Sequence, residues 1–537
     1  MSWTHIIFWA FSILWAFHIL QRILYTIYFW QLKEYRWHRV AGDFIRSIRV
    51  FLPKPAIALI VLLLCRLIFS PFYYFFDNLI LAVIIIWGIY SAFLLFNKKW
   101  KLPKFTKKAS LIVALSVLFF VALSYLLAKE FLMFAVLFEI FLPLITFLVA
   151  AATNIPSGFI KNTIYKKASE KIKKRKNLIT IAICGSYGKT STKEFLYAFL
   201  SDKYKVFKTD GNINTEIGVA KAIIKDLSDD YEIFIAEMGA YRKGEIKLLC
   251  NIAQPQIGVL TGVNEQHLAL FGSMENLLSA EGGGELSESL LEQKGTLIVN
   301  GDNKYCLNLY KKFNGNKKIS ATEKTKINAD IWSEKPTILK DSISFLAVNK
   351  SGEMAHFGIK TLGEHNIQNI LSAALAAQEV GMSLSDISEA GRKITAEHSS
   401  MLLKSGQHGI DIIDSSYSSN PNGVLADIDY LSIFSQKKII VMPCLIELGE
   451  KSSEVHEKIG KKIGQVCDLA IITTKDKFKE IKTGAMSEGM QEKNIMFLDN
   501  PQEIYSAITL FARRGDAVLL EGRVPQKVIQ LLTKKVA

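Results

Sequence analysis

The hydrophobic positions of the chain follow two different patterns, which meet near residue 150. Before that point, apolar residues form five nearly continuous runs at 4–29, 56–75, 79–96, 110–127 and 131–152. Each run has about 20 residues, the length that a helix needs to cross the hydrocarbon core of a bilayer. The pattern therefore predicts an α-helical transmembrane domain of about five spans within residues 1–155.

After the apolar runs, short β-branched segments alternate with segments of helical periodicity. Such alternation predicts α/β domains built on mostly parallel sheets, in which ligand-binding residues gather at the C-terminal ends of the strands. We expect a basic linker at 156–176, a first α/β domain at 177–396 and a second one at 397–537.

The positive charge of the chain is concentrated in its first third. The whole sequence has 65 Lys and Arg residues against 50 Asp and Glu residues, a formal net charge of +15. Through Lys176, 23 basic residues accompany 6 acidic ones, a net of +17, so the rest of the chain carries a net of −2. Basicity confined to the apolar region indicates contact with anionic membrane lipids and argues against nucleic acid as a partner.

The segments between the apolar runs predict the orientation of the membrane domain. Basic residues cluster at 33–54, 97–108 and 161–176. Five spans with the N-terminus outside place all three clusters in the cytoplasm, as the positive-inside rule requires. We therefore expect a multi-pass protein of the inner (cytoplasmic) membrane whose α/β domains are cytoplasmic. Six cysteines without a C-x-x-C pair are typical of that reducing compartment, and the oligomeric state is left open.

Three charged residues, Arg22, Arg66 and Glu139, lie within or near the apolar runs. An ionisable group in hydrocarbon costs several kcal/mol unless it is paired. Arg66 could pair with Glu139, or it could contact a lipid pyrophosphate. Snorkelling or a structural ion pair explains the same residues equally well.

The segment Gly185–Ser191 reads G-S-Y-G-K-T-S and lies between a β-branched run and a helical pattern. A strand that stops at glycine and continues as a helix presents backbone N–H groups to an anion. Lys189 adds a charge for the β- and γ-phosphates, and Thr190 offers a hydroxyl ligand for Mg²⁺. The longer Walker pattern would need glycine where Ile183 stands. A glycine-rich segment before a helix can also be a simple turn that binds no ligand. Phosphate binding is nevertheless the favoured interpretation.

Two further polar residues follow predicted strands. Glu237 comes directly after the run 231–236, and His267 follows the run 257–260 by a short loop. Because the C-terminal ends of parallel strands share one edge of a sheet, both side chains could face the phosphate loop. By itself this signal is weak, since loop acids and histidines are common.

A set of motifs over roughly residues 172–537 resembles the Mur ligase family. Several segments resemble the family's central ATPase domain. They are the phosphate loop, G-N-I-N at 211–214, E-M-G-A at 237–240, G-E-I at 244–246, His267 and G-E-H-N-I-Q-N at 363–369. The last of these resembles a nucleotide-contacting segment. Two further segments, D-S-S-Y-S-S-N-P at 414–421 and E-L-G at 447–449, resemble the family's C-terminal domain. The forms of these motifs are most similar to the branch that adds D-alanyl-D-alanine to a muramoyl tripeptide.

The resemblance implies a P-loop ATPase domain followed by a Rossmann-like C-terminal domain. It implies an ATP-dependent, ADP-forming carboxylate–amine ligase of peptidoglycan synthesis that uses ATP and Mg²⁺ and proceeds through an acyl phosphate. The implied partners are a muramoyl-peptide or lipid-linked precursor and a D-amino acid or dipeptide. Two other functions stay open: a ligase acting on a lipid-linked precursor or another acidic polymer, and a catalytically degenerate membrane scaffold.

The resemblance also implies roles for single residues. Lys189 would hold the transferring phosphate, Thr190 would bind one Mg²⁺, and Glu237 with His267 would hold a second metal ion. The implied nucleotide site consists of Gly185, Ser186, Tyr187, Gly188, Lys189, Thr190, Ser191, Asn366, Asn369 and Asp414. Candidate substrate contacts are Asn214, Tyr417 and Asn420.

The sequence departs from the family pattern in several places. The family's uridine-diphosphate-binding first domain has no counterpart, and the apolar region stands there instead. Ser399-Ser400 replaces a Gly-Arg pair, and Glu521-Gly522-Arg523 replaces Lys-Gly-Ser. The lysine that the family carbamylates falls on Glu281. We expect Glu281 to bind Mg²⁺ directly; the alternative is a solvent-facing acid beside a flexible loop.

Overall fold

The computed structural model describes residues 3–32, 35, 53–97, 99–126, 131–211, 213–323, 328–395, 401–416 and 419–533. The chain divides into two compact units, Met1–Asn162 and Thr163–Ala537.

The first unit is helical. Its helices are α1 (Trp3–Leu32), α2 (Lys54–Ile68), α3 (Tyr73–Phe96), α4 (Lys107–Leu126) and the part of α5 (Phe131–Lys173) that precedes Thr163, with a 3₁₀ turn at Ser70–Phe72. Within the described residues, three helices are long and apolar enough to cross a membrane, over Tyr73–Phe96, Lys107–Tyr125 and Phe141–Lys173. Many large apolar side chains on this unit are exposed, including Ile68 and Phe96, as suits contact with lipid.

The predicted run 56–75 is not one helix. α2 ends at Ile68 after 15 residues, a length of about 22 Å at 1.5 Å per residue, which is shorter than a hydrocarbon core of about 30 Å. Pro71 lies in the 3₁₀ turn that follows. Proline cannot donate a backbone hydrogen bond and disfavours a helical residue before it, which accounts for the break. Crossing of a membrane by five spans thus stays a prediction.

Glu139 lies in a buried polar group of the first unit. Its Oε2 accepts a hydrogen bond from Arg22 Nη1 (2.7 Å), and its Oε1 lies 3.1 Å from His18 Nε2. Arg66 instead donates to Asp77 Oδ1 (2.6 Å). The suggested pairing of Arg66 with Glu139 is therefore wrong. The order of helices, which the sequence does not display, decides which charges meet.

The second unit contains two sheets. The first sheet has the strand order β2-β3-β1-β4-β5-β6-β7-β8-β9. Its strands are β1 (Ile179–Cys184), β2 (Val206–Lys208), β3 (Ile233–Glu237), β4 (Ile257–Leu260), β5 (Thr296–Asn300), β6 (Asn316–Ala321), β7 (Ile331–Ile338), β8 (Ile343–Asn349) and β9 (Met354–Ile359). Neighbours from β2 through β7 are parallel, and β8 and β9 complete the sheet as antiparallel strands.

Helices cover both faces of the first sheet. They are α6 (Lys189–Leu200), α7 (Glu216–Asp226), α8 (Glu245–Ala253), α9 (Leu268–Phe271), α10 (Met274–Ser279), α11 (Gly284–Glu292), α12 (Lys304–Lys312), α13 (Asn366–Glu379) and α14 (Leu384–Arg392). In β1, Ile181 and Ile183 join one buried cluster with α6, α13 and α14, whereas Ala182 and Cys184 join the opposite cluster with α7, α8 and α11. This alternation is the period of two that a strand imposes.

The second sheet has the order β10-β11-β15-β12-β13-β14. Its strands are β10 (Leu402–Ser405), β11 (Asp411–Ser415), β12 (Lys438–Met442), β13 (Leu469–Ile472), β14 (Ile495–Phe497) and β15 (Ala517–Glu521). Only β10 is antiparallel to its neighbour. The accompanying helices are α15 (Pro421–Leu431), α16 (Ser452–Val466), α17 (Phe478–Ser487), α18 (Pro501–Phe511) and α19 (Gln526–Thr533).

The expectation of α/β architecture after the apolar runs is confirmed by these two sheets. The expected domain boundary between 396 and 397 falls within 396–400, outside the residues that the structure describes, and stays a prediction.

Candidate active site

The phosphate loop connects the central strand β1 to the N-terminus of α6. Gly188 has φ +78° at this junction, and a Cβ atom there would lie 2.6 Å from Asn369 Oδ1. Gly185 has φ +139°, and its Cβ would lie 2.4 Å from Thr261 Oγ1. Glycine is therefore required at both positions, by conformation and by space. The loop is held between the segment after β4 and the first turn of α13.

The side chain of Lys189 folds back over the loop. Its Nζ donates to the Gly185 carbonyl (2.5 Å) and lies 3.4 Å from the Ser186 carbonyl. Ser191 is buried in the first turn of α6. A lysine ammonium above the N-terminus of a helix is an arrangement that suits a polyphosphate, because the charge and the helix dipole both attract anions.

Tyr187 packs under the loop. Its hydroxyl accepts a hydrogen bond from Asn303 Nδ2 (3.1 Å), and a Cβ at Gly262 would lie 2.4 Å from its ring. Burial raises the pKa of Tyr187 to about 12. The ring is therefore held beside the loop by its contacts with Asn303 and Gly262.

Glu237, the last residue of β3, is buried beside the loop. Its Oε2 accepts a hydrogen bond from Thr190 Oγ1 (3.1 Å), and its Oε1 accepts one from Asn214 Nδ2 (3.1 Å). Lys193 Nζ lies 3.1 Å from the same Oε2. The structure thus brings together three residues that the sequence singled out, and adds Lys193.

His267 and Glu281 form a second polar group next to the loop. His267 Nδ1 lies 3.1 Å from Glu281 Oε1, and Ser186 Oγ donates to Glu281 Oε2 (3.0 Å). His267 Nε2 lies 3.7 Å from Glu447 Oε2, which comes from the second sheet's domain. Only 2% of Glu281 is exposed, so it is not the solvent-facing acid of the alternative interpretation.

Glu237 and His267 lie in two different hydrogen-bonded groups, and their joint binding of a second metal ion stays a prediction. Among the described residues, no group of three or more His, Cys, Asp or Glu side chains is placed to hold a metal ion. Thr190 and Glu237 nevertheless offer hard oxygen ligands, and Mg²⁺ is usually held by one or two carboxylates together with waters and substrate phosphates. These two residues fit Mg²⁺.

The expected nucleotide-contacting residues of α13 are buried at the loop. Asn369 Nδ2 donates to Asn366 Oδ1 (3.0 Å), and Thr192 Oγ1 lies 3.4 Å from Asn369 Oδ1. Asn366 Nδ2 in turn donates to the Leu362 carbonyl (2.7 Å). Their hydrogen bonds join α13 to α6, and their contact with a base stays a prediction.

Asp414, near the end of β11, is bound within its own sheet. Lys404 Nζ contacts its Oδ2 (2.5 Å), and the backbone N–H and hydroxyl of Ser416 donate to its Oδ1. Burial opposes ionisation, but these hydrogen bonds outweigh it and hold the pKa of Asp414 below its usual value. An ionised acid is what a ribose contact would need. Tyr417 lies outside the described residues.

The C-terminal edges of the two sheets meet. Asn264, after β4, donates through Nδ2 to Asn420 Oδ1 (3.2 Å) and Asn422 Oδ1 (3.0 Å). Gln266 Nε2 donates to the Ser419 carbonyl (3.1 Å). These bonds, with the contact between His267 and Glu447, place the loops after β11 and β12 against the segment that adjoins the phosphate loop. Ligands of α/β sheets bind at such edges.

Two domains of one protein family match this part of the chain. The Mur ligase middle domain matches residues 183–377, and the Mur ligase glutamate ligase domain matches residues 401–524. The chain belongs to the Mur ligase family. Members of this family are ATP-dependent ligases of peptidoglycan synthesis, and this chain is a ligase of the same family.

Curated relatives of this Mur ligase are UDP-N-acetylmuramoyl-tripeptide--D-alanyl-D-alanine ligases. The protein of Bacillus subtilis is 27% identical over 365 residues, which cover 66% of this chain and 74% of the relative. The protein of Borreliella burgdorferi is 32% identical over 285 residues, which cover 52% of this chain and 58% of the relative.

Solved structures show the same fold. MurF from Acinetobacter baumannii has a TM-score of 0.62 at 21% identity, covering 70% of this chain and 81% of that one. MurF from Thermotoga maritima in complex with ADP has a TM-score of 0.57 at 23% identity, covering 69% and 83%.

Three residues of this Mur ligase's site, Lys193, Asn264 and Gln266, were not predicted from the sequence. Lys193 follows Thr190 by three positions in α6, a spacing that puts both on one helix face; that spacing was the available signal. Asn264 and Gln266 precede His267 in the same loop. Nothing in their sequence context distinguishes them, because their partners come from the other sheet.

Glu521, which stands where the family pattern has lysine, is buried. Ser415 Oγ donates to Asp427 Oδ2 (2.5 Å), and Glu521 lies beside this pair at the end of β15 with its Oε2 unpartnered. Burial and the neighbouring Asp427 carboxylate raise the pKa of Glu521 well above its usual value. The surroundings of Glu521 therefore favour its protonated form.

Proposed function

We propose that this Mur ligase joins an amine, most like D-alanyl-D-alanine, to the carboxylate of a muramoyl-peptide precursor at the expense of ATP. The observation that carries this proposal is the hydrogen bond from Thr190 to Glu237 at the phosphate loop, with the Lys189 ammonium above the same helix terminus. The names of the relatives support the choice of substrates.

The reaction has two steps. A carboxylate oxygen of the acceptor attacks the γ-phosphorus of ATP, and ADP leaves, which gives an acyl phosphate. The amine nitrogen then attacks the acyl carbon, the carbon–oxygen bond to phosphate breaks, and the nitrogen loses a proton. Enzymes accelerate such phosphoryl transfer mainly by positioning and by charge neutralisation.

The residues of the loop supply both effects. Lys189 would neutralise charge that develops on the transferring phosphoryl group, and the N–H groups at the start of α6 would hold the phosphates. Mg²⁺, when held by Thr190 and Glu237, would neutralise further phosphate charge. Asn366 and Asn369 would orient the nucleotide from α13.

The second α/β domain, which we propose to be Rossmann-like, would close the site. Asp414 would contact the ribose, and Asn420 with Tyr417 would lie near the substrate. The interdomain hydrogen bonds of Asn264 and Gln266 support this closed arrangement. Closure excludes water, which would otherwise hydrolyse an acyl phosphate.

Glu281 would supply a fixed anionic charge where the family uses a carbamylated lysine. Its burial and its contacts with Ser186 and His267 support a role at the phosphate end of the site. His267 would be held in place by this carboxylate, as metal-binding and catalytic histidines often are. On this proposal the enzyme needs no CO₂.

We further propose that residues 1–155 form five membrane spans with the N-terminus outside, followed by a linker at 156–176. The α/β domains at 177–396 and 397–537 would then lie in the cytoplasm beside the inner membrane. The three long apolar helices support this placement. The burial of Arg22 against Glu139 supports it too, because a charge inside a membrane domain needs such a partner.

The acceptor is proposed to be lipid-linked. The motifs of the sequence include no counterpart of the family's uridine-diphosphate-binding domain, so the acceptor would be held by the membrane domain, by the second α/β domain or by a partner. Lys99 and the basic residues Arg36, Arg39 and Lys98, which lie outside the described residues, are suited to a lipid pyrophosphate.

The test uses the full chain in detergent, with ATP and D-alanyl-D-alanine. Phosphate release is measured with a nucleotide-linked muramoyl tripeptide and with its lipid-linked counterpart. We expect faster turnover of the lipid-linked acceptor. Equal or faster turnover of the soluble acceptor refutes the proposal of a lipid-linked acceptor. If ATP is not turned over with either acceptor, whichever of several amines is supplied, the remaining function is that of a membrane scaffold.

A further inference from the structure

Lys193 is a buried cation that the reaction described above does not use. Its side chain is 0% exposed, although it lies only one helical turn after Thr190. Its Nζ is 3.1 Å from Glu237 Oε2, 3.1 Å from the Gly211 carbonyl and 3.7 Å from Glu194 Oε1. The first two oxygens are within hydrogen-bonding distance of the ammonium, and the Glu194 carboxylate lies slightly farther away.

Glu237 is the main counter-charge of Lys193. A buried ammonium is stable only when a carboxylate compensates it. Glu194, the more distant acid, already forms a close ion pair with Lys208. Lys193 and Glu237 thus form a nearly solvent-free ion pair, with side-chain exposures of 0% and 3%.

Both oxygens of Glu237 are engaged by protein groups. Oε2 is approached by Thr190 Oγ1 and Lys193 Nζ at 3.1 Å each, and Oε1 accepts from Asn214 Nδ2. A divalent cation that binds Oε2 must come close to the Lys193 ammonium. Like charges at such distances repel strongly inside a protein, where screening by water is weak.

We propose that Lys193 is the internal counter-cation of Glu237 and makes divalent-cation binding at this carboxylate depend on the nucleotide. Without nucleotide, the Lys193 charge repels the metal ion and keeps Glu237 in position. The negative charge of bound phosphates offsets that repulsion, so metal and nucleotide bind together. Lys193 is then a positioning residue, and the inference rests on the proposed Mg²⁺–nucleotide site.

The contact of Lys193 with Gly211 links the positioning of Glu237 to Asn214, a candidate substrate contact. The carbonyl that it holds lies three residues before Asn214, which contacts the other oxygen of Glu237. One ammonium therefore fixes the carboxylate and one end of the segment that carries Asn214.

The experiment measures binding of Mn²⁺, a paramagnetic substitute for Mg²⁺, by electron paramagnetic resonance. The full chain in detergent is titrated with Mn²⁺ alone and with Mn²⁺ plus ADP. We expect the natural chain to bind Mn²⁺ at least about tenfold more tightly when ADP is present, from the charge argument. Lys193→Met should bind Mn²⁺ alone at least about tenfold more tightly than the natural chain does, because the repelling charge is gone.

Three further variants isolate the cause. Lys193→Arg keeps the charge and should restore the dependence on ADP. The double variant Lys193→Met/Glu237→Gln should lose the added Mn²⁺ binding, since the metal ligand is removed. Lys225→Met, at a side chain that is 84% exposed on α7, is the matched control and should behave like the natural chain.

The outcomes separate the inference from the function on which it rests. Equal Mn²⁺ affinity of the natural chain with and without ADP overturns the inference, whatever the variants do. A Lys193→Met chain that gains no Mn²⁺ affinity, while the natural chain still responds to ADP, overturns the role of Lys193 alone. A natural chain that binds no Mn²⁺ with ADP overturns the proposed site itself. If Lys193→Met does not fold, Lys193→Gln, which keeps a donor for Gly211, takes its place.

Discussion

Thr190 Oγ1 donates a hydrogen bond to Glu237 Oε2 across 3.1 Å. The bond joins the first turn of α6 to the last residue of β3. It places a hydroxyl and a carboxylate together beside the loop that Lys189 overlies, so a cation and the phosphates it accompanies can be bound at one place.

The first prediction concerns Lys189→Ala. We expect phosphate release to fall by about 100-fold or more, because a positioned charge on the reacting group is lost, while thermal unfolding stays nearly unchanged. Lys225→Ala, on an exposed face, is the control and should keep full turnover. Undiminished phosphate release by Lys189→Ala would show that this loop does not carry the reaction.

The second prediction compares two glycines at helix N-termini, Gly188 and Gly244, which both have positive φ. Alanine at Gly244 meets no atom within 4 Å, so it should cost only about 1–2 kcal/mol of conformational strain. Alanine at Gly188 adds a clash with Asn369 and should also weaken ADP binding. Calorimetric titration with ADP checks this, and equal ADP affinity of the two variants contradicts it.

The third prediction concerns Glu281→Gln. The substitution removes the charge beside Ser186 and His267, and we expect turnover to fall by about 10- to 100-fold, with partial recovery at high Mg²⁺. Phosphate release is measured against Mg²⁺ concentration, without added bicarbonate. Glu288→Gln, at a side chain that is 64% exposed, is the control. Unchanged turnover and unchanged Mg²⁺ dependence in Glu281→Gln would remove this residue from the site.

The fourth prediction concerns pH and Glu521. Because burial and Asp427 raise the pKa of Glu521 in the folded state, its protonated form stabilises the fold at low pH. That contribution declines as the pH rises from the unfolded-state value of 4.5 toward the folded-state value.

Glu521→Gln cannot titrate, so the variant should gain stability relative to the natural chain between pH 5 and pH 8, by about 1 kcal/mol or more. Thermal unfolding of both proteins at the two pH values measures the difference. Glu488→Gln, at an exposed position, should show no such gain. A stability difference between Glu521→Gln and the natural chain that is the same at both pH values would contradict a raised pKa of Glu521.

The fifth prediction is the membrane topology. A cysteine introduced in place of Ser2 should react with an impermeant thiol reagent added to intact cells. A cysteine introduced in place of Lys101, near Lys104 in a basic connecting segment, should react only after lysis. The natural chain, whose Cys65 is partly exposed, gives the background, and the reverse labelling would overturn the orientation.

Local features of the sequence determined the parts of the fold that depend on neighbouring residues. The length of the apolar runs predicted the helical first unit, and the alternation of β-branched with helical segments predicted the α/β second unit. The phosphate loop could be located because glycine, lysine and threonine act there through backbone conformation and charge within a few residues. The run 56–75 is not the single helix that its apolar length predicts, because Pro71 lies in the turn that follows α2.

What only the tertiary structure decided is which distant side chains meet. β3 and β4 flank β1, and this order of strands brings Glu237 to Thr190 and Lys193, while it leaves His267 with Glu281. The contact of His267 with Glu447 and that of Asn264 with Asn420 need a second sheet to be docked on the first. The packing of α1 against α5 likewise pairs Glu139 with Arg22, whereas Arg66 pairs with Asp77 on the next helix. Such pairings depend on the packing of elements that are far apart in the chain. Local sequence propensity does not predict that packing.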